Sequence, residues 1–593
     1  MIRSTLPRFK TAFAFLVSVI FLTTLTSVAD AKPKKKPPAD NSGGDMTFEP
    51  EAVGHDDAKT PPPTSQQGTK KKPVVASRPM GNPNAPAGPA SKTLERAIKL
   101  YDAQDFPMST IEFNKVIEGQ SNDDEANKQR GEFYMGKAMF NLKYYSSSLS
   151  YFDKIVEAGP QHRYYQKTLQ WLASLSNFLP ESAGVLERIG KYTKKDLEQE
   201  SLADNRDKLY YLLGRYFFTK SQFAEAKDLF ASVPETSAEF YPKAQFFLGM
   251  TWVREAKIQS DAQQSSRAAL IKASEAFKGI LRLGAAYKDE KKIPKGLREF
   301  VELANLSLGR VFYSAAQYPQ SIKYYEKLEQ RSPDWVESLF EASWSYFQVD
   351  GDSKALGNIH SVNSPYFEQE FYPETFILKA VIYFNRCNYA QAAEAIAEFN
   401  AIYPALRTQL DEILTKNTDN ALLFDYIVKI KTGEAGLTGR IRRAAEGALN
   451  DKTLAKSIEY VTELDKELKS FDKSDPSWKS TAVASNILQD LTIQQSLAKN
   501  DAGQLARARL QRLSDQVRDL TKQSIKVEFE TLNAMKGQLT AGLGAEQNVI
   551  NPNAKNFNTI QIDDEHQQWP FKGEYWRDEL GYYRFKVANK CGR

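Results

Sequence analysis

Residues 305–333 read "NLSLGRVFYSAAQYPQSIKYYEKLEQRSP". Within them Gly309 is followed by Phe312, Tyr318, Ser321, Tyr325, Leu328 and Pro333, and the chain repeats that spacing elsewhere. It returns as Gly136, Met139, Tyr145, Ser148, Phe152, Ile155 and Pro160, and again as Gly214, Phe217, Phe223, Ala226, Phe230 and Val233. A seventh copy reads Ala380, Tyr383, Tyr389, Ala392, Ile396, Phe399 and Pro404. Weaker copies run through Ala97, Phe106, Ser109 and Phe113, through Gly249, Trp252, Ala273 and Phe277, and through Ser343, Tyr346, Ala355 and Ile359. Gly214 and Gly249 lie 35 residues apart and Gly309 and Ser343 34, so the copies are in phase. A small residue followed by aromatics in a second helical stretch describes two antiparallel helices that cross closely, with rings filling the gap. A degenerate pair is expected at 166–190, "QKTLQWLASLSNFLPESAGVLERIG".

The pattern resembles the tetratricopeptide repeat (TPR) family over residues 93–404. The resemblance implies an all-α fold, a TPR α-solenoid in which stacked helix pairs form a superhelix with a concave groove. In that family the residues flanking the small residue on each first helix face the groove. Carried onto this chain, they are Phe133, Lys137, Phe140, Tyr211, Arg215, Phe218, Phe246, Met250 and Arg254, then Arg310, Tyr313, Phe340, Trp344 and Phe347. Aromatics alternate with Lys and Arg there, which suits a partner segment with acidic and apolar anchors. The chain's own C-terminal helices or tail are the alternative occupants of that face.

Beyond Pro404 helix signals continue through residues 405–545. "TLAKSIEYVTELDKELKSF" carries Leu454, Ile458, Val461, Leu464, Leu468 and Phe471 on one stripe, and Asp475 then caps a helix that Pro476 opens. Leu510, Leu513, Val517, Leu520 and Val527 step by three and four, a coiled-coil-like seam expected within a long antiparallel hairpin. Residues 546–593 form a tail that closes on "WPFKGEYWRDELGYYRFKVANKCGR". Its rings Trp569, Phe571, Tyr575, Trp576, Tyr583 and Phe585 are expected to cap the helical body, with Cys591 bonded to Cys387 in the turn of the seventh repeat. The alternative is an exposed recruitment tail with two free thiols.

At the other end, residues 1–31 read as a secretory signal: Arg3, Arg8 and Lys10, an apolar run, then "ADA" for cleavage after Ala31. Left uncleaved, the segment would anchor the chain in the inner membrane. Residues 32–92 are a Pro/Lys-rich linker, expected to be disordered. Its basic clusters offer a contact to peptidoglycan or membrane. Together the signal and linker carry more positive charge than the chain's +5, so the folded body is close to neutral and is no nucleic-acid binder by charge.

Chemistry finds little purchase. The four histidines, His55, His162, His360 and His566, lack ligand spacing, so neither metal nor cofactor is expected. "GEAGLTGR" (433–440) lacks the Lys-Ser/Thr of a phosphate loop, and the acidic pairs Asp123/Asp124 and Asp563/Asp564 read as solvated runs. The reading is a non-enzyme with protein partners and no small-molecule substrate; the alternative is a peptidoglycan-associated or muralytic subunit. An exported TPR stack on a Pro/Lys tether resembles periplasmic scaffolds of Gram-negative envelopes. The closing aromatic stretch is similar to the ends of TPR proteins linked with adventurous gliding motility, which implies a periplasmic place in a trans-envelope assembly.

Overall fold

The computed structural model describes residues 86–287, 293–367, 370–437, 439–449, 452–542 and 573–591. The signal, the linker up to residue 85, and Trp569 and Phe571 of the expected cap lie outside them. The described residues hold 22 α-helices and no strand. Repeat one pairs α1 (Lys92–Asp102) with α2 (Phe106–Ile117), and repeat two pairs α3 (Glu125–Asn141) with α4 (Tyr145–Ala158). At the degenerate pair the chain is irregular, with α5 (Tyr165–Leu175), α6 (Val185–Ile189) and α7 (Lys194–Leu197). Repeats three and four pair α8 (Arg206–Thr219) with α9 (Phe223–Ala231) and α10 (Phe240–Asp261) with α11 (Arg267–Ala285). Repeats five to seven pair α12 (Lys295–Ser314) with α13 (Tyr318–Tyr325), α14 (Trp335–Gln348) with α15 (Asp352–Val362), and α16 (Glu374–Asn385) with α17 (Tyr389–Lys416).

The repeat closes for a steric reason. A Cβ on Gly309 would lie 2.4 Å from the Tyr325 ring, on Gly136 or Gly214 2.7 Å from Phe152 or Phe230, and on Gly249 2.6 Å from Phe277. Only glycine lets those helices cross over a ring at that range. The Ser148 and Ser321 hydroxyls donate to the carbonyls of Gly136 and Gly309 at 2.8 Å, fixing the second helix against the first. Each of the seven turns between paired helices contains a non-glycine residue in the left-handed region: Gln104, Lys143, Ser221, Gln263, Ala316, Asp350 and Cys387, at φ from 55 to 65°. The result is an all-α TPR solenoid.

After the repeats come α18 (Asn420–Thr432), α19 (Gly439–Ala448), α20 (Lys452–Asp472), α21 (Pro476–Lys479) and α22 (Ala482–Gly542). The last is 61 residues long, roughly 90 Å at 1.5 Å per residue. Its first part forms an antiparallel hairpin with α20, where Tyr460 donates to Gln494 at 3.3 Å. This hairpin lies on the first two repeats. Trp478 donates to Thr110 of α2 at 3.1 Å and stacks on Tyr144, and Gln494 donates to Ser150 of α4 at 2.9 Å. The seam over Leu510–Val527 has a different partner from the one expected within a hairpin. It packs on α16, α17 and α18 instead, where Gln516 donates to Glu374 at 2.8 Å and Ser524 donates to Asn400 at 3.0 Å.

Two residues make that passage close. A Cβ on Gly503 would sit 1.8 Å from the Asn420 carbonyl oxygen, so the α22 backbone touches the start of α18 there. Arg507 donates to the carbonyls of Asn417 and Thr418, supplying donors and positive charge at the C-terminal end of α17. α17 itself runs through Pro404 to Lys416, past the point where the repeat pattern stops.

At the hairpin's other end Glu467 of α20 is nearly buried beside the start of α4. Burial pushes its carboxyl up to about 8; the backbone N–H groups of Ser146 and Tyr145 pull it back, and the Glu463 charge adds to the rise. The folded state therefore keeps a proton that an unfolded carboxyl, at an ordinary 4.5, has lost. Stability falls as pH rises between those values, at up to about 1.4 kcal/mol per unit. Glu467→Gln should flatten the fall in melting temperature between pH 5 and 8; a variant with the wild-type slope would contradict this placement.

Candidate protein-interaction site

The residues expected to line the groove lie on the first helices of their pairs, but most face the neighbouring repeat rather than solvent. Phe133, Phe218, Phe246, Met250, Tyr313, Phe340, Trp344 and Phe347 are buried, and none of the others is fully exposed. Phe133 stacks on Tyr164 at 4.6 Å, Phe140 meets Trp171 edge-on at 5.2 Å, and Phe340 meets Tyr372 at 5.0 Å. Arg310 is held by Glu341 at 2.7 Å and Glu337 at 2.6 Å, one repeat further on. Those carboxylates keep the guanidinium charged although only about a tenth of its side chain is exposed. Arg215 pairs with Glu181 at 2.6 Å and lies 4.0 Å over the Phe247 ring. Adjacent first helices lie against one another, so side chains on this face meet their counterparts one repeat away. As an open aromatic groove, the expected surface is therefore corrected to a packed seam.

What stays reachable is a set of cations. The Lys137 ammonium sits 4.2 Å from the Tyr134 ring centroid, 4.7 Å from Tyr101 and 5.7 Å from Trp171. Arg254 lies 4.7 Å over Phe218, and Lys208 donates to the Asn177 side chain at 2.6 Å. Burial pushes all three pKa values down; the Asp102 charge works against it at Lys137, as does Glu239 at Lys208. None of the three has an ion-pair partner among the described residues. Half-burying a cation without a carboxylate is unfavourable. Around them Phe178 is about half exposed, stacked on Tyr145 and edge-on to Phe140. Lys137, Lys208 and Arg254, with Phe178 beside them, thus form a basic, aromatic strip across the first helices α3, α8 and α10.

The C-terminal tail occupies another surface. Tyr575 stacks on His360 of α15 at 4.2 Å and 9°, and Tyr583 and Phe585 meet the same imidazole edge-on. Ser353, Gly357 and Ser361 put three small residues on one side of α15, and the tail backbone runs along them. The Phe585 N–H donates to the Ser353 carbonyl at 3.0 Å, the Gly581 N–H donates to the Ser361 hydroxyl at 2.8 Å, and a Cβ on Gly357 would lie 1.7 Å from the Tyr583 oxygen. Cys591 is bonded to Cys387, with the Cα atoms 5.0 Å apart, and Asn388 donates to the Ala588 carbonyl at 2.7 Å. Trp576 is about half exposed, whereas Leu580, which the sequence reading passed over, is buried. The small stripe on α15 was the available signal for this berth.

Asp123 and Asp124 differ from the solvated run expected of them. Asp123 is buried and accepts from the Ser91 N–H at 2.9 Å, while Asp124 caps α3 by accepting from the Asn127 N–H at 2.8 Å. Among the described residues no group of three His, Cys, Asp or Glu could hold a metal ion, and no helix is long and apolar enough to cross a membrane.

Gly357→Ala should displace the tail by steric conflict with its backbone while suiting α15 itself. In reduced protein, trypsin should then clip 577–590 faster than in wild type with the repeats intact. Equal protection would mean that the backbone does not lie on α15.

No family model and no curated protein matches the chain. Among solved structures it is similar to a chain of the APC/C hetero-tetramer Cut9–Hcn1, at 13% identity and a TM-score of 0.20, and to yeast Tom70, at 11% and 0.19. Each alignment covers 68% of this chain and 96% of the other. Likeness at that level carries nothing about function, and the fold rests on the repeat geometry described above.

Proposed function

We propose that this chain is a protein-interaction scaffold that holds an acidic, apolar-bearing segment of a partner against the strip formed by Lys137, Phe178, Lys208 and Arg254. The observation that carries the reading is the three half-buried cations without a carboxylate. Each has lost part of its hydration, so a partner carboxylate would form a charge-assisted bond in a partly desolvated setting, where such bonds are stronger. The aromatic rings beneath them supply apolar contact, a combination typical of interface anchors.

The setting we propose is the periplasm of a Gram-negative envelope, after export and cleavage behind Ala31. Support comes from the signal-like start and from the bond between the chain's two cysteines, since such bonds persist in oxidising compartments. The resemblance of the closing stretch to gliding-motility TPR proteins makes a trans-envelope assembly the natural context.

A fluorescently labelled peptide of alternating Glu and Phe is a direct probe. Arg254→Gln and Lys137→Gln should each weaken its binding about tenfold, the order of one interface anchor, and salt should weaken it further. Melting temperature should hold or rise, because an unpaired half-buried cation is removed. Unchanged binding in both variants would remove the strip from the function. A parallel loss of stability would make these residues structural.

A further inference from the structure

Arg215 lies on α8 seven residues beyond Lys208, two turns along the same side of the helix. Where Lys208 meets the neutral Asn177 side chain, Arg215 meets the Glu181 carboxylate. Both partners belong to the connection between α5 and α6. That connection is nine residues long (176–184), whereas six of the seven repeats turn in three residues and the other in five. The extra length lays residues 177–181 along α8, and Glu181 opens a single 3-10 turn between Pro180 and Gly184. The fit of the ion pair is incomplete. Both Glu181 oxygens lie on one nitrogen, 2.6 and 2.7 Å from Nη2, and Nη1 donates to the Tyr211 hydroxyl at 3.1 Å. The buried Nε has no hydrogen-bond partner among the described residues. A carboxylate that meets the guanidinium edge takes Nε and Nη2 together, and a buried donor left unpaired is unfavourable. With Phe178 three residues before it, Glu181 completes an aromatic-then-acidic segment, the chemistry proposed above for the partner.

We propose that Glu181 is a built-in stand-in for the partner's carboxylate, and that binding replaces it. The partner's acidic group takes Arg215 edge-on through Nε and Nη2, while Glu181 turns out to water. The inference rests on the strip reading above, and it adds Arg215 to the strip as a covered fourth cation. One carboxylate is exchanged for another, so the half of the exchange that would leave a buried cation bare never occurs. The bond to Nε is the gain. The Glu181 side chain is already 36% exposed, against 14% for Arg215, so only the carboxylate has to move. The contact also selects: a neutral segment has nothing to displace a tethered carboxylate with, and is refused at Arg215.

The labelled Glu/Phe peptide, titrated onto the full chain, tests the exchange through a gain of affinity. Glu181→Gln and Glu181→Asp, one neutral and one too short to reach Arg215, should each tighten binding about fivefold, the order of one ion pair. A control peptide of alternating Gln and Phe should show no gain. Arg215→Gln should cancel the gain when added to Glu181→Gln. Unchanged or weaker binding in both Glu181 variants, with Arg254→Gln still costing about tenfold, would overturn this inference alone and make the pair structural. A gain that survives Arg215→Gln would overturn it as well. No effect of either Arg254→Gln or Lys137→Gln would remove the strip, and this inference with it.

Discussion

The structure depends on the burial of one side of α22. Ile487, Leu491, Ala498, Ala502, Ala506, Leu510, Leu513, Val517, Leu520 and Val527 follow one another at mostly three- and four-residue steps, and all are buried. Through them a single helix touches repeat two at Ser150 and repeat seven at Asn400, with 30 residues, roughly 45 Å of helix, between the two contacts. A repeat array is ordinarily held by nearest neighbours, and each repeat feels the end of the stack only through those between. Here Gln494 meets Ser150 across 344 residues of sequence, and Trp478 meets Thr110 across 368. The ends of the stack therefore depend on one another. A repeat lost near either end also uncovers part of α22.

That constraint organises the functional surfaces. The hairpin covers α2 and α4 of the first two repeats, α22 covers α16 and α17 of the last, and the tail covers α15. Lys137, Lys208 and Arg254, on first helices between those covered regions, are left with half-buried charge and solvent access. A strut of fixed length across the solenoid resists bending of the array, and so holds those cations at set spacing. For the binding proposed above, such preorganisation would lower the ordering cost.

Much of the fold was legible in the sequence because its signals are local and steric. Gly309 and Tyr325 must coexist for the crossing to close, and that requirement is written in the spacing. The turns were less legible: Ala316 and Cys387 adopt left-handed backbone without the glycine that usually announces it. The positions on the first helices were also readable, but whether Trp344 faces a groove or the next repeat depends on how tightly the superhelix winds. No single repeat records that. The seam from Leu510 to Val527 showed in its periodicity, while its partners, up to 142 residues away, left no local trace. Of the strip's cations, Lys137 and Arg254 were singled out by their repeat position and Lys208 was not, and only the packing around them distinguishes them from paired Arg310.

Hydrogen exchange along α22 tests the bridging role most directly. An isolated helix exchanges quickly, whereas one packed at both ends protects its amides with the stability of the body it joins. The account predicts that residues 487–531 exchange as one slow block, at rates matching the cores of α4 and α17. Fast exchange over 487–506 with α4 and α17 still protected would show that the hairpin is not seated on the first repeats, and would contradict the bridge.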